Sequence, residues 1–232
     1  MWVIGHRGAP RVAVENTVEA FLAAIDEGAD GVELDVQSSA DGQLVLLHDT
    51  VQDGVPVHQL THAQLSERLG RRVDVLEDAF AALPSTAWIF VEWKRQGSLA
   101  EAWIHERLIS LTHERAPGHT ILGSFDPAFV AAVRENAPDL LAGWIVEPSQ
   151  LGADGHWPDG VDRWFEGLAF VSMALDLAGS PLHLRAAAAG CRTLAWSVNT
   201  DHEIARARSA RPKFDGIITK TPSLTRSKLS EP

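Results

Sequence analysis

The chain of 232 residues has one cysteine, no tyrosine and no long uninterrupted run of apolar residues. With Cys191 alone, an internal disulfide is excluded, and a reducing cytoplasm is the predicted location. No apolar stretch approaches the ~20 residues that a transmembrane helix requires. Residues 2–5 predict a strand rather than the basic and apolar regions of a signal peptide. The sequence therefore predicts a cytoplasmic protein without a membrane span.

Positive charge is also scarce. The 20 lysine and arginine residues stand against 31 aspartate and glutamate residues, for a formal net charge of −11. A negative field repels nucleic acid and anionic membrane surfaces at long range, so we expect neither as a partner. It does not attract phosphate esters either, so a substrate of that kind needs cations placed locally in its site.

The sequence does contain a regular alternation of apolar, β-branched runs with helix-like stretches, which is typical of βα repetition within one domain, residues 1–232. Strands are predicted at residues 2–5, 31–36, 43–48, 87–92, 120–125, 140–146, 168–173, 192–198 and 214–219. Helices are predicted at residues 17–27, 99–112, 127–136, 181–189 and 201–210. For the first helix, Asn16 is the predicted N-cap and Gly28 the predicted end.

Nine strands are one too many for an eightfold barrel, and the third is the exception. The short stretch 38–42 joins it to the second strand, whereas a parallel crossover needs about a dozen residues. The Asp41-Gly42 pair favours a hairpin, so we expect residues 43–48 to return antiparallel near the mouth. Without that run, the pattern predicts an α/β fold, a TIM-like (β/α)8 barrel. Residues 51–82 are predicted to form a short cap-like insertion after the strand that ends at His48.

Carboxylates stand near the ends of two predicted strands. Glu33 and Asp35 leave the same face of one strand, and Glu92 ends another. The C-terminal ends of barrel strands meet at one mouth, where three carboxylates can hold one hard cation. Oxygen-only ligands favour Mg²⁺, Ca²⁺ or Mn²⁺ over Zn²⁺. Either pattern alone also fits an ordinary ion pair, so it is their combination that predicts a divalent cation site.

Two histidines, His6 and His48, also lie at predicted strand ends. An imidazole titrates near pH 6.5, so one can act as base and the other as acid. Arg7 and Lys94 offer cations to phosphate oxygens, and with a divalent cation they would nearly neutralise three carboxylates and one phosphodiester. These residue types predict metal-assisted cleavage of a phosphate ester. The other eight histidines are predicted to lie at the surface.

The chain resembles the glycerophosphodiester phosphodiesterases over nearly its whole length. The segments that carry the resemblance are, in order, HRGAPRVAVENTVEAF, GADGVELDVQSSADGQLVLLHD, FVEWK, GSFDP, AWSVNT and DGIITKTP. The resemblance implies a TIM-like barrel that holds a divalent cation. The metal ligands that it implies are Glu33, Asp35 and Glu92, and the catalytic residues are His6 and His48. The substrate or phosphate contacts that it implies are Arg7, Lys94, Glu15, Asn16 and Trp196.

Three departures from the family pattern fall in the predicted cap and rim. Residues 50–54 read Thr-Val-Gln-Asp-Gly where the family often has Arg-Thr-Thr. Residues 74–77 read Asp-Val-Leu-Glu in place of Pro-Thr-Leu-Glu. Lys220 stands where the family commonly has Asp. None of these changes removes a metal ligand or a catalytic histidine, so we expect them to affect substrate preference.

The predicted activity is metal-dependent hydrolysis of a glycerophosphodiester to sn-glycerol 3-phosphate and an alcohol, with this small molecule as the expected partner. Two alternatives stay open at this point. One is a phosphodiesterase of the same barrel that acts on lysophospholipids or another glycerol-containing diester. The other is a barrel that binds a phosphorylated ligand without turnover. An amidohydrolase-type barrel is disfavoured, because it requires His-x-His after the first strand, where this chain has His6-Arg7-Gly8.

Overall fold

Eight parallel strands close into a barrel in the computed structural model, which describes residues 1–95, 101–115, 118–150 and 165–231, with residues 101 and 102 by backbone only. The strands are β1 (Trp2–His6), β2 (Gly31–Ser38), β3 (Leu44–Leu46), β4 (Val51–Gln52), β5 (Val55–Pro56), β6 (Trp88–Trp93), β7 (Thr120–Ser124), β8 (Leu141–Val146), β9 (Phe170–Ala174), β10 (Arg192–Trp196) and β11 (Gly216–Thr219). The sheet order is β1-β11-β10-β9-β8-β7-β6-β2, and β1 pairs with β2 to close the ring. The predicted TIM-like barrel is confirmed.

The third predicted strand is the antiparallel return that the Asp41-Gly42 turn predicts. β3 pairs with β2 in the register Val36↔Leu46. β1 pairs with β2 only as far as Glu33, so β3 occupies the edge of β2 that β1 leaves free. The chain after β3 therefore returns to the mouth of the barrel and brings His48 with it.

Eight helices lie within the described residues: α1 (Val18–Asp26), α2 (His62–Arg68), α3 (Leu76–Ala82), α4 (Glu101–Arg115), α5 (Pro127–Asn136), α6 (Pro181–Ala188), α7 (Asp201–Ser209) and α8 (Pro222–Ser230). Single 3₁₀ turns occur at Val57–Gln59, Pro148–Gln150 and Leu175–Leu177. The sequence analysis did not predict α2, α3 or α8, and the first two are too short to show a helical period. Residues 99 and 100 of the predicted helix 99–112 lie outside the described residues. Within the described part of the chain, no helix has the length and apolar character that crossing a membrane requires.

The N-cap of α1 is Thr17, so the prediction of Asn16 is wrong. The Thr17 Oγ1 accepts a hydrogen bond from the Ala20 N–H at 3.2 Å. The Asn16 side chain is instead held by Asp35, 19 residues further along the chain. Gly28 adopts a positive φ of 86° directly after the helix and ends it as predicted.

Strand alternation divides the apolar residues between two cores. Outward-facing residues such as Leu34 and Val91 pack beneath the helices. Inward-facing residues fill the barrel and include Ile4, Phe90, Ile121, Phe170, Leu194 and Ile218. Full burial of one such side chain contributes about 1.5–3 kcal/mol. On β1, β6 and β9 the residue two positions after the inward apolar residue is polar. These residues, His6, Glu92 and Ser172, line the site.

Residues 51–82 begin with a hairpin, β4–β5, whose two-residue turn carries Asp53 and Gly54 at φ 48° and 78°. Positive φ at both turn residues is the preferred geometry of a two-residue hairpin loop. A separate small cluster includes Val57, Leu65 and Val73. Leu76 of α3 belongs instead to the core that surrounds the barrel. The division of the chain into one domain with residues 51–82 as a cap stays a prediction.

His183 on α6 is fully buried, so the prediction that all eight remaining histidines lie at the surface is wrong. The Gly179 N–H donates to its Nδ1 at 3.1 Å, which requires that nitrogen to be unprotonated. Its Nε2 lies 3.4 Å from the Thr193 Oγ1, and its ring stacks on Phe214 at 4.2 Å between centroids. Burial lowers the pKa of His183, so the imidazole is neutral in the folded protein.

We expect a pH-dependent stability contribution from His183. Because its pKa is lower in the folded state than the unfolded value of about 6.5, the unfolded chain takes up a proton first as the pH falls. The wild type should therefore lose up to about 1.4 kcal/mol of unfolding free energy per pH unit below that value, and His183→Gln should lose less. Urea unfolding at pH 7.5, 6.5 and 5.5 measures the difference, with the exposed His202→Gln as control. A constant difference between wild type and His183→Gln would contradict a buried neutral imidazole.

Candidate active site

A cavity of about 100 Å³ lies at the C-terminal ends of the barrel strands. Its lining combines the predicted catalytic histidines and cations with an apolar wall: His6, Arg7, Glu33, His48, Glu92, Lys94, Phe125, Ile145, Ser172, Trp196 and Ile218. Glu15, Asn16 and Asp35 are not among the described residues that line it. They contact lining residues instead.

The three predicted metal ligands lie together. One carboxylate oxygen from each of Glu33, Asp35 and Glu92 lies within 4.8 Å of the other two, and all three residues are buried. On β2 the neighbours Val32 and Leu34 face the helices, so alternation turns both acids inward. The register Asp35↔Glu92 between β2 and β6 brings the third carboxylate to the same level.

Asp35 is the most heavily bonded of the three. Its carboxylate forms ion pairs with the Lys94 Nζ at 2.9 Å and the Arg7 Nε at 3.1 Å, and it accepts a hydrogen bond from the Asn16 Nδ2 at 2.8 Å. The Asp35 N–H in turn donates to the Asn16 Oδ1 at 3.1 Å. Burial opposes the charged form, but the charges of Lys94 and Arg7 prevail and hold the pKa of Asp35 below its usual value. Asp35 is therefore an ionised carboxylate, fixed in orientation by Asn16.

The other two carboxylates are crowded by like charge. Burial and then the charges of Asp35 and Glu92 raise the pKa of Glu33 well above its usual value. Burial and then Asp35 raise the pKa of Glu92 to about 7, although Lys94 contacts its carboxylate. The buried Glu33 Oε1 has no hydrogen-bond partner among the described residues. A donor set made only of oxygen, with excess negative charge and an oxygen atom left unbonded, fits a hard divalent cation.

His6 ends β1 and is held at Nδ1, while its Nε2 faces a carboxylate. Its Nδ1 lies 3.1 Å from the Ser197 Oγ, and its Nε2 lies 3.8 Å from a Glu33 carboxylate oxygen. Burial, followed by the charge of Arg7, lowers the pKa of His6 to about 3, so the imidazole is neutral near pH 7. The sequence analysis missed Ser197. The one indication in the sequence is that Ser197 directly follows Trp196, near the end of the predicted strand 192–198.

His48 lines the same cavity from the segment that follows β3. The Asp49 Oδ1 lies 2.8 Å from its Nδ1, which leaves Nε2 free to meet a substrate. The backbone on both sides of His48 is fixed by Gln37, whose Nε2 donates to the Leu47 carbonyl at 2.8 Å and to the Asp49 carbonyl at 3.0 Å. Sequence reasoning also missed Gln37, although it is the next inward residue of β2 after Glu33 and Asp35.

Arg7 is placed by its backbone and by Glu15. It is a non-glycine residue at φ 56°, in the left-handed region, and such strain is concentrated at functional sites. Its N–H donates to a Glu33 carboxylate oxygen at 3.0 Å, and its Nη1 donates to the Glu15 Oε1 at 2.8 Å. Glu15 and Asn16 thus orient Arg7 and Asp35, and both sit behind the residues that line the cavity.

The wall across the cavity is apolar. Phe125 and Trp196 meet edge to face with ring centroids 5.7 Å apart, above Ile145 and Ile218. Ser172 adds a buried hydroxyl to this wall, and within the described part of the chain its Oγ has no hydrogen-bond partner. Only Trp196 was among the predicted site residues. The cavity therefore has a charged half built by β1, β2, β6 and the segment after β3, and an apolar half built by β7 to β11.

Comparisons with known proteins agree with this geometry. The model of the glycerophosphoryl diester phosphodiesterase family matches residues 6–224. A glycerophosphodiester phosphodiesterase of Caldanaerobacter subterraneus subsp. tengcongensis is 28% identical, over 95% of this chain and 94% of its own length.

Two solved structures share the fold. A glycerophosphodiester phosphodiesterase from Thermotoga maritima has a TM-score of 0.78 at 24% identity, with 98% of this chain and 97% of that chain covered. An Oleispira antarctica phosphodiesterase in complex with the product sn-glycerol-3-phosphate has a TM-score of 0.81 at 20% identity, with 100% and 97% covered. The family match confirms the resemblance seen in the sequence. The chain belongs to the glycerophosphoryl diester phosphodiesterase family, a family of phosphoric diester hydrolases.

Proposed function

We propose that this protein hydrolyses glycerophosphodiesters to sn-glycerol 3-phosphate and an alcohol, with His6 and His48 as proton carriers and a divalent cation as cofactor. The observation that carries the proposal is the meeting of two imidazoles and two cations in one cavity, beside a buried cluster of three carboxylates of which Glu33 and Glu92 line that cavity. Family membership and the product named for the Oleispira antarctica relative support the substrate class.

Arg7 and Lys94 bind the phosphodiester in this proposal. Both side chains reach the cavity while anchored to Asp35, so their positive charges are fixed before the substrate arrives. Cations preorganised in this way stabilise charge that develops on phosphoryl oxygens without reorganising during the reaction. The planar guanidinium of Arg7 can donate two parallel hydrogen bonds to one phosphate.

His6 and His48 transfer the protons. One imidazole accepts the proton of the attacking hydroxyl, either the glycerol 2-hydroxyl or a water molecule, and the other donates a proton to the departing alcohol as its P–O bond breaks. Attack by the glycerol hydroxyl gives a cyclic phosphate that water then opens, with the two proton transfers reversed. Both routes consume one water and leave sn-glycerol 3-phosphate.

Glu33, Asp35 and Glu92 would hold the divalent cation. When bound, a cation of this kind polarises the phosphoryl group and lowers the pKa of an attacking hydroxyl. Carboxylate oxygens favour Mg²⁺, Ca²⁺ or Mn²⁺. The preference among these ions and the cytoplasmic location stay predictions from the sequence.

The direct test is product analysis with the purified protein. Glycerophosphocholine, glycerophosphoethanolamine and lysophosphatidylcholine are incubated with Mg²⁺, Ca²⁺ or Mn²⁺. Lysophosphatidate, the product of lysophosphatidylcholine hydrolysis, is measured by mass spectrometry, and sn-glycerol 3-phosphate is measured with a coupled dehydrogenase. We expect it from the first two substrates. Preference for lysophosphatidylcholine would favour the lysophospholipid alternative, and no turnover of any diester with any ion would contradict the proposal.

Asn16 is expected to support the cation through Asp35. Asn16→Gly removes both hydrogen bonds to Asp35, while glycine adopts the φ of 56° at this position without strain. Loss of a group that orients a ligand typically lowers metal affinity about 10–100-fold. Isothermal titration with Mn²⁺ measures the affinity directly. Unchanged affinity in a folded Asn16→Gly variant would show that Asp35 needs no such support.

A further inference from the structure

Lys220 follows the last residue of β11, at the mouth of the barrel. The β1–β11 register ends with Gly5↔Thr219, so His6 and Lys220 are the next residues along two adjacent strands. Ile4 and Ile218 both face the barrel interior. Because side chains alternate along a strand, His6 and Lys220, two residues later, are expected on the same face. Lys220 therefore lies beside His6, half-buried, with its backbone N–H fixed by the Asn199 Oδ1 at 2.7 Å.

The charge of Lys220 is not neutralised by a carboxylate in the described part of the chain. Arg7 and Lys94 both form ion pairs, with Asp35 as a shared partner. None of the ion pairs found among the described residues includes Lys220. Its proximity to the cavity is reflected at His6, where the charge of Lys220 contributes to the lowered pKa. Lys220 is not among the described residues that line the cavity, so it adds a third cation at the rim.

This third cation lies apart from the other two. In the sheet order β11-β1-β2-β6, His6 on β1 separates Lys220 from the carboxylates on β2 and β6. The phosphodiester charge is expected near Arg7 and Lys94, on the carboxylate side of His6. Glycerol is uncharged, so a second anionic group in the substrate can come only from the other alcohol.

We propose that Lys220 is a specificity-determining residue that favours glycerophosphodiesters whose alcohol carries an anionic group, such as a carboxylate, and disfavours cationic alcohols such as choline. The inference rests on the proposed function and adds the substrate class. A unit charge several ångströms from a half-buried cation is sufficient to change affinity about tenfold.

The test uses three glycerophosphodiesters that differ in the charge of the alcohol: choline, 1-propanol and 3-hydroxypropanoate. We expect kcat/KM of the wild type to rank anionic above neutral above cationic. Lys220→Gln should reduce the anionic-to-cationic ratio about tenfold, and Lys220→Glu should invert it. Because each substrate is compared between variants, differences in leaving-group reactivity cancel. Lys213→Gln, an exposed lysine that precedes β11 at the far end of the barrel, is the matched control.

Two results would overturn the inference while leaving the proposed function intact. An equal loss for all three substrates in Lys220→Gln would place Lys220 on the reacting phosphate. Unchanged ratios in both Lys220 variants would show that the lysine is merely solvated. Failure of the wild type to hydrolyse any of the three diesters would overturn the proposed function as well. Thermal unfolding of each variant confirms that it is folded.

Discussion

His6→Ala and His48→Ala are each expected to lower kcat by about 10²–10⁴-fold, the range for loss of a positioned proton carrier. Both imidazoles line the same cavity, and each has its Nδ1 engaged, by Ser197 and Asp49 respectively. A neutral imidazole held at one nitrogen presents the other in a defined orientation. The loss should therefore appear in kcat more than in KM, in steady-state assays at saturating cation.

Two further variants separate proton transfer from structure. His202→Ala removes an exposed imidazole from α7 and should leave kcat unchanged. Ser197→Ala removes only the contact at the His6 Nδ1 and should cost less than His6→Ala. Turnover at the wild-type rate in both His6→Ala and His48→Ala would rule out the two-histidine mechanism.

Asp35→Asn is expected to abolish detectable binding of Mg²⁺, Ca²⁺ and Mn²⁺ and to lower kcat by about 10²–10⁴-fold. A bound cation lowers the activation free energy by several kcal/mol through charge stabilisation. About 1.4 kcal/mol corresponds to a factor of ten in rate, which gives this range. The substitution keeps the shape of the side chain but removes the charge to which Arg7 and Lys94 are anchored. Isothermal titration measures cation binding, and initial rates at increasing cation concentration measure activity.

The matched control for this loss is Asp53→Asn. Asp53 lies at the tip of the β4–β5 hairpin, largely exposed and at a φ of 48° that asparagine tolerates. Cation affinity of the control should equal that of the wild type. Wild-type affinity in Asp35→Asn would refute the carboxylate site. Activity that survives exhaustive chelation would argue against the cation and leave hydrolysis itself standing.

The barrel and much of the site could be predicted because both depend on the two-residue alternation of side chains along each strand. A polar residue two places after an inward apolar residue must share its face, and parallel strand ends must meet at one mouth. This logic brings together residues as distant in sequence as His6 and Glu92. The family resemblance added Glu15 and Asn16, which spacing alone does not assign.

What could not be predicted depends on partners distant in sequence. Asn16 and Thr17 are both good N-caps, and only the position of Asp35 decides between them. His183 lies in a predicted helix with nothing local to mark it as buried, yet Gly179 and Thr193 contact its ring nitrogens and permit burial. Ser197 follows β10, two strands from β1 in the sheet, and it contacts His6, 191 residues away, which no local pattern encodes.

The β2–β3 hairpin determines where this enzyme can tolerate an inserted residue. One strand presents Glu33, Asp35 and Gln37 on a single face, and Gln37 grips the segment that carries His48. An inserted residue between Glu33 and Gln37 would turn the later inward-facing side chains of β2 outward. Gln37 would then lose its hydrogen bonds to the segment that carries His48. Extra residues at the Asp41-Gly42 bend would leave that spacing untouched. Two of the predicted cation ligands, Glu33 and Asp35, and the proposed proton carrier His48 are thus positioned by one continuous hairpin.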